Sequence, residues 1–214
     1  MEFINFLVRW SHLLFGITWI GMLYYFNFVQ GGYFKQATPE ALADAKSKLA
    51  PSALWWFRWG AMLTFVTGII LLVGLSHKGQ LNNVIVIGST MGVLMFLNVW
   101  LVIWPAQQIA LGMKEGDAAK NGARALLASR TNVLFSAPMA FGMLASPHGA
   151  EWGASLIGYG SPLGGLDLMI CLAIIVALEV NGLVGKQGPM ASVKGVIHGS
   201  LTLTAVLFGI LYYC

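Results

Sequence analysis

The sequence predicts an all-α integral membrane protein, a bundle of about six transmembrane helices. Of its 214 residues, 57% are hydrophobic and only 9% are charged, whereas a soluble domain carries about 25% charged residues. The mean hydropathy is +0.75. Several apolar stretches reach the roughly 20 residues that a helix needs to cross the hydrocarbon core. Helix is predicted over strand because each long run must satisfy its own backbone hydrogen bonds in lipid.

The predicted spans follow one another along a single transmembrane domain, residues 1–214. They cover about residues 10–29, 54–75, 84–111, 125–145, 163–184 and 193–213. The first has an interfacial start, MEFINFLVR, and no small-residue cleavage pattern, so we do not expect a cleaved signal peptide. Between the first two spans, TPEALADAKSKLA is predicted to form a short surface helix with Thr38 as its N-cap.

Basic residues indicate how the bundle is oriented. Of the 12 Lys and Arg residues, only Arg9 and Lys78 fall on one side of the predicted spans. The other side is therefore predicted to be cytoplasmic, and six spans place both termini outside. Because the basic residues are dispersed between apolar stretches, the net charge of +4 does not indicate nucleic-acid binding. We expect a protein surrounded by lipid in a bacterial inner membrane.

Polar side chains gather at the cytoplasmic end of the predicted spans. The predicted inner polar site consists of Arg58, Gln107, Arg130, Asn132, Glu179 and His198, with Gln108 and Asn181 nearby. Charged side chains at membrane depth are costly and usually face the bundle interior. Glu179 is therefore expected to pair with Arg130 or Arg58. Two interpretations stay open, an ion pair that only fixes packing and a pocket for an anionic or hydrogen-bonding ligand.

Three of the four histidines, His12, His77 and His148, fall at the predicted external end. They are candidate ligands for a haem or a metal, although a solvated histidine is the alternative at His77 and His148. His12 is the strongest candidate because RWSHLLFGITWIG places it inside an apolar helix. Neither a CxxCH nor an HExxH motif is present, so covalent haem and a zinc protease are not indicated. Haem is the predicted cofactor, and no separate metal site is predicted.

Small residues are spaced for close helix packing in the third predicted span. Gly88 and Gly92 are four residues apart, a spacing that lets two membrane helices approach closely. We assign them a packing role and no chemistry.

Four segments resemble the membrane domain of the bacterial membrane-bound urate oxidase (urate hydroxylase) family. These segments are RWSHLLFGITWIGMLYYFNF, WFRWGAMLTFVTGIILL, NVWLVIWPAQQIALGMKEG and SRTNVLFSAPMAFGM, in that order. The matching positions include His12, Trp19, Arg58, Trp104, Pro105, Gln107, Ser129, Arg130 and Asn132. In that family a c-type cytochrome domain follows the membrane domain and the protein oxidises urate. This chain has no CxxCH motif, so the resemblance implies an electron acceptor on a separate protein.

The resemblance and the histidines together predict a membrane-embedded subunit of an electron-transfer system. It would bind haem and pass electrons to a separate c-type cytochrome or to other membrane redox subunits. The alternative is a non-catalytic structural or assembly subunit of a larger respiratory or photosynthetic complex. A channel or transporter is less favoured, because the middle of the predicted bundle carries only small polar groups such as Thr64, Thr67 and Asn98.

Overall fold

Six long helices make up the computed structural model, which describes residues 2–148 and 163–213. They are α1 (Glu2–Gln36), α2 (Pro39–His77), α3 (Asn83–Ala110), α4 (Ala118–His148), α5 (Leu166–Val184) and α6 (Val193–Tyr213). A single 3₁₀ turn, Gly188–Ala191, lies between α5 and α6. The all-helical class is therefore confirmed, and each predicted span lies wholly or almost wholly within one helix.

Five of the helices in the described ranges are long and apolar enough to cross a membrane: α1, α2, α3, α5 and α6. The exception is α4, which contains the predicted span at residues 125–145. It is 31 residues long, but Arg130, Asn132 and several hydroxyl side chains make it less apolar. The count of six spans and the external position of both termini remain predictions.

The most polar of the six helices, α4, lies at the centre of the bundle. It packs against α1, α3, α5 and α6, and its side chains at Arg130, Asn132 and Ser136 are buried. The surrounding helices instead expose large apolar side chains, among them Ile17 and Leu201. This arrangement suits a lipid solvent, because polar groups are costly against acyl chains and stabilise contacts between helices when buried.

Local sequence explains where the helices start and stop. The Thr38 side chain accepts a hydrogen bond from the Ala41 amide, which confirms the predicted N-cap, and Pro39 occupies the first turn. The helix that begins there does not end at the surface but continues into the second predicted span as α2. Asn82 caps α3 in the same way, and Gly79, with φ of +63°, lies just after α2.

Three π-helical turns interrupt the long helices. They lie at Tyr25–Gln30 in α1, Ala45–Leu49 in α2 and Asn98–Ile103 in α3. The turn in α3 comes just before Pro105, whose ring removes a backbone donor from the helix. Turns of this kind are frequent at functional sites, and two of them, in α1 and α3, contact the central helix α4.

Candidate functional site

A cavity of about 560 Å³ opens between α1, α2, α3 and α4 at the end of the bundle that contains His12. We call it the His12 cavity. Its walls are mostly apolar and include Phe65, Met139 and Met143, while its polar lining includes His12 and Ser89. Ligand pockets in proteins typically measure about 300–1,000 Å³ and combine an apolar lining with a few polar groups. The His12 cavity therefore has the size and character of a site for an amphipathic small molecule.

The imidazole of His12 is held in one orientation by α2. Its Nδ1 lies 3.0 Å from the Thr67 hydroxyl oxygen, and that hydroxyl lies 2.7 Å from the Leu63 carbonyl, to which it donates. The Thr67 oxygen therefore accepts from Nδ1–H, which leaves the lone pair of Nε2 free for a ligand. Gly68 makes room for the ring, since a Cβ there would lie 3.2 Å from His12 Cε1.

Two cationic side chains line the same cavity. They are Arg9 and Lys78, the basic residues that the sequence assigns to the predicted external face, and Asn5 and Gln80 lie in the lining with them. Farther along α1, Trp19 also lines the cavity, and its buried indole N–H has no hydrogen-bond partner among the described residues. The cavity thus offers positive charge to a ligand that carries acceptors.

The structure does not bring the three predicted cofactor histidines together. His77 and His148 are both exposed, neither lines the His12 cavity, and His148 bonds to the Leu144 carbonyl of its own helix. The described residues also contain no cluster of three or more His, Cys, Asp or Glu side chains. A ligand role for His77 or His148 therefore stays a prediction. Both lie exposed at helix ends, which favours the alternative of a solvated ring.

Near the middle of α3 and α4, three buried side chains form what we call the Asn132 network. Asn98 Nδ2 donates to Asn132 Oδ1 at 2.9 Å and to Glu179 Oε2 at 3.1 Å. Asn132 Nδ2 in turn donates to the Met95 carbonyl at 3.0 Å. The network joins α3, α4 and α5, and Asn132 is fully buried. The prediction that Asn132 and Glu179 lie close together inside the bundle is confirmed.

The predicted partner of Glu179 is wrong. Within the described part of the chain, Lys48 with Asp44 forms the single ion pair, and Glu179 bonds to Asn98 instead of Arg130 or Arg58. Arg130 is buried, with 8% of its surface exposed, and two of its guanidinium nitrogens, Nε and Nη1, have no hydrogen-bond partner within residues 2–148 and 163–213. The burial of both residues inside the bundle was predicted correctly. Their rotation about the helix axes, which decides what they touch, was not.

Arg58 belongs to an aromatic cluster instead of the Asn132 network. Its guanidinium carbon lies 3.9 Å from the ring centroid of Trp104 and 5.3 Å from that of Trp100, with Trp59 at 5.9 Å. Such cation–π contacts stabilise an arginine that has left water. Arg58 is therefore accounted for by packing at the rim, between α2 and the end of α3.

Four more predicted polar residues are not part of the Asn132 network. His198 is exposed and bonds to the Lys194 carbonyl of its own helix, which corrects its assignment to the inner site. Gln107 and Gln108 are half-buried on α3. Asn181 bonds to the backbone of Lys186 and so caps the end of α5.

Sequence reasoning missed a second polar seam, between α1 and α4. Tyr24 and Ser136 share a hydrogen bond at 2.8 Å, and Asn27 Nδ2 donates to Ser129 Oγ at 2.7 Å. Asn27 lies in the π turn of α1, as Asn98 lies in that of α3.

An asparagine inside an apolar run, as in FLNVWLVIW, is the signal that would have identified Asn98, because such a residue must find a partner inside the bundle.

We expect Arg130→Ala to destabilise the protein far more than Lys120→Ala. Arg130 is buried on the central helix, and truncating a large buried side chain costs about 2 kcal/mol or more. Lys120 is exposed near the start of the same helix, where substitutions change the free energy of unfolding by about 0.5 kcal/mol at most. Thermal unfolding in detergent measures both. Equally small losses of stability in the two variants would mean that the Arg130 guanidinium reaches the surface and that its burial does not stabilise the protein.

No protein-family model, curated protein or solved structure matches the chain. Function must therefore be inferred from the His12 cavity and the Asn132 network.

Proposed function

We propose that this chain is a membrane-embedded subunit of an electron-transfer system and that the His12 cavity holds a haem. One observation carries the proposal: a histidine with a free Nε2 lines a cavity of about 560 Å³ that also has two cationic side chains in its lining. Haem is amphipathic, with an apolar ring and anionic propionates. A histidine is among its commonest protein ligands.

The residues of the cavity match the parts of such a ligand. His12 would provide one axial ligand through Nε2, held in place by the hydrogen bond from Nδ1 to Thr67. Arg9 and Lys78 would pair with the propionates. Met139 and Met143, with Phe65, supply the apolar contact that a porphyrin needs.

Haem would supply one-electron transfer, and the protein would hold and orient it within the bilayer. The segment RWSHLLFG, which carries part of the resemblance to the urate oxidase membrane domain, contains both Arg9 and His12. That likeness supports a redox role with a separate c-type cytochrome, or another membrane redox subunit, as the electron acceptor. We place the protein in a bacterial inner membrane, where such partners operate.

The visible absorption spectrum of the protein, purified gently in detergent from its native membrane, tests the proposal. We expect a Soret band whose position changes on reduction with dithionite, with about one haem per chain by pyridine haemochrome assay. A colourless protein that co-purifies stoichiometrically with larger redox subunits would reject haem binding and favour a structural or assembly subunit. A colourless protein recovered alone would reject both.

A further inference from the structure

Glu179 has no role in the proposed haem site, yet it is the one carboxyl buried among the helices of the described chain. It lies in the apolar run of α5, with 8% of its surface exposed. One hydrogen bond reaches it, from Asn98 Nδ2 to Oε2 at 3.1 Å. An ionised carboxylate in apolar surroundings needs a cation or several donors to offset its lost hydration. A single neutral amide supplies much less than that.

The helices packed against α5 bring no compensating cation to Glu179. Helix α3 contains no titratable side chain at all over Asn83–Ala110. At this end of the bundle, α4 carries Lys120, Arg124 and Arg130, and α6 carries Lys194 and His198. None of the five forms an ion pair with Glu179 in the described structure. His198 points to solvent and bonds within its own helix.

The same geometry argues against a metal cation beside Glu179. The group that Asn98 turns toward the carboxyl is its N–H, a donor, and not its oxygen. The oxygen of Asn132 already accepts from Asn98, and the Asn132 amide nitrogen is committed to the Met95 carbonyl. Hard cations require several oxygen ligands, and this network does not converge oxygens on Glu179. A proton, in contrast to a metal cation, needs no shell of oxygen ligands.

We infer that Glu179 is a proton-binding site of the bundle, its carboxyl exchanging one proton with water beyond the C-terminal end of α5. The protonated acid is the form suited to the buried network, and the hydrogen bond from Asn98 supports the carboxylate when the proton leaves. Water is near, because α5 ends at Val184, about 7 Å of helix rise beyond Glu179. The polar residues Lys186 and Gln187 follow that end. This site does not depend on a haem.

Infrared spectroscopy of the intact protein in lipid vesicles tests the inference through a pH titration in H₂O and D₂O. We expect a carboxylic-acid C=O band that declines as the pH rises, absent from Glu179→Gln and retained in Glu115→Gln. Glu115 is the matched control because it lies exposed in the loop between α3 and α4. Loss of the band in both variants, or no such band from wild-type protein over roughly pH 4–9, would overturn the inference.

Asn98→Leu provides an independent readout if Glu179→Gln fails to fold. It removes the hydrogen bond that supports the charged carboxylate, so the proton should bind about tenfold more tightly and the titration should move up by about one pH unit. An unchanged titration in Asn98→Leu would show that the band does not belong to the Asn98–Glu179 pair and would reject the site. The infrared bands require no haem, so a negative Soret result and a negative titration reject different proposals.

Discussion

Gly142→Leu is expected to destabilise the bundle strongly, by about 3 kcal/mol or more. Helices α3 and α4 approach so closely that a Cβ at Gly142 would lie 3.0 Å from Gly88 Cα and 3.0 Å from the Val84 carbonyl oxygen. Both atoms are backbone, so no side-chain rotation can relieve the contact. The helices would have to separate, and the dispersion contacts that hold membrane helices together would weaken along the interface.

The control for Gly142→Leu is Gly21→Leu on α1. Nothing lies within 4 Å of a Cβ built at Gly21, and leucine is favoured over glycine in a helix by about 1 kcal/mol. The control should therefore be neutral or slightly stabilising. Thermal unfolding in detergent, followed by circular dichroism, gives both midpoints. Equal midpoints for the two variants would contradict a close α3–α4 contact.

The glycines show what a sequence can and cannot predict about packing. The spacing of Gly88 and Gly92 predicted a close helix approach, and Gly88 does lie against another helix. The identity of the partner, Gly142 on α4, did not follow from the spacing. Hydropathy gives the length and depth of each helix, but the neighbour of a helix depends on the shapes of all faces at once. A single sequence does not reveal that choice.

The ends of a helix were predictable where glycine or asparagine separates the apolar runs. The predicted spans at residues 84–111, 163–184 and 193–213 match α3, α5 and α6 closely. Asn82 and Gly112 flank α3, and Gly165 and Gly185 flank α5. The first two helices are longer than predicted. The predicted interfacial start, MEFINFLVR, and the predicted surface helix, TPEALADAKSKLA, are each continuous with the span that follows. Polar residues indicate where the membrane is expected to end, but a helix can continue beyond that point.

The proximity of Asn132 and Glu179 was predicted from their positions along two apolar runs, but the rotation of the helices about their axes was not. The rotation of a helix about its axis depends on how it packs. Helix α4 directs Asn132 toward Asn98. Arg130, two residues earlier, projects from the helix in a different direction. Charge alone suggested an Arg130–Glu179 pair. The uncharged Asn98, inside an apolar run, proved to be the partner.

His12→Ala should reduce haem content at least tenfold while leaving the fold intact. The substitution removes the one histidine of the described chain that lines the cavity, and with it the proposed iron ligand. His12 is only half-buried and its ring bonds to Thr67 alone among side chains, so the helices should remain packed. The Soret absorbance per chain measures the loss. His77→Ala is the matched control, because His77 is exposed and outside the cavity, and should keep the full band.

Two further variants separate ligation by His12 from a structural effect. His12→Gly should regain a Soret band when imidazole is added, because the small molecule can occupy the space of the missing ring. Thr67→Val keeps the shape of the threonine but removes the acceptor that orients Nδ1–H, and it should weaken haem binding roughly 10- to 100-fold. If His12→Ala kept its Soret band, or if His77→Ala lost it, the ligand would have to be another residue. The hydrogen bond to Thr67 would then be a packing contact between α1 and α2, made possible by Gly68, where a Cβ would crowd the His12 ring.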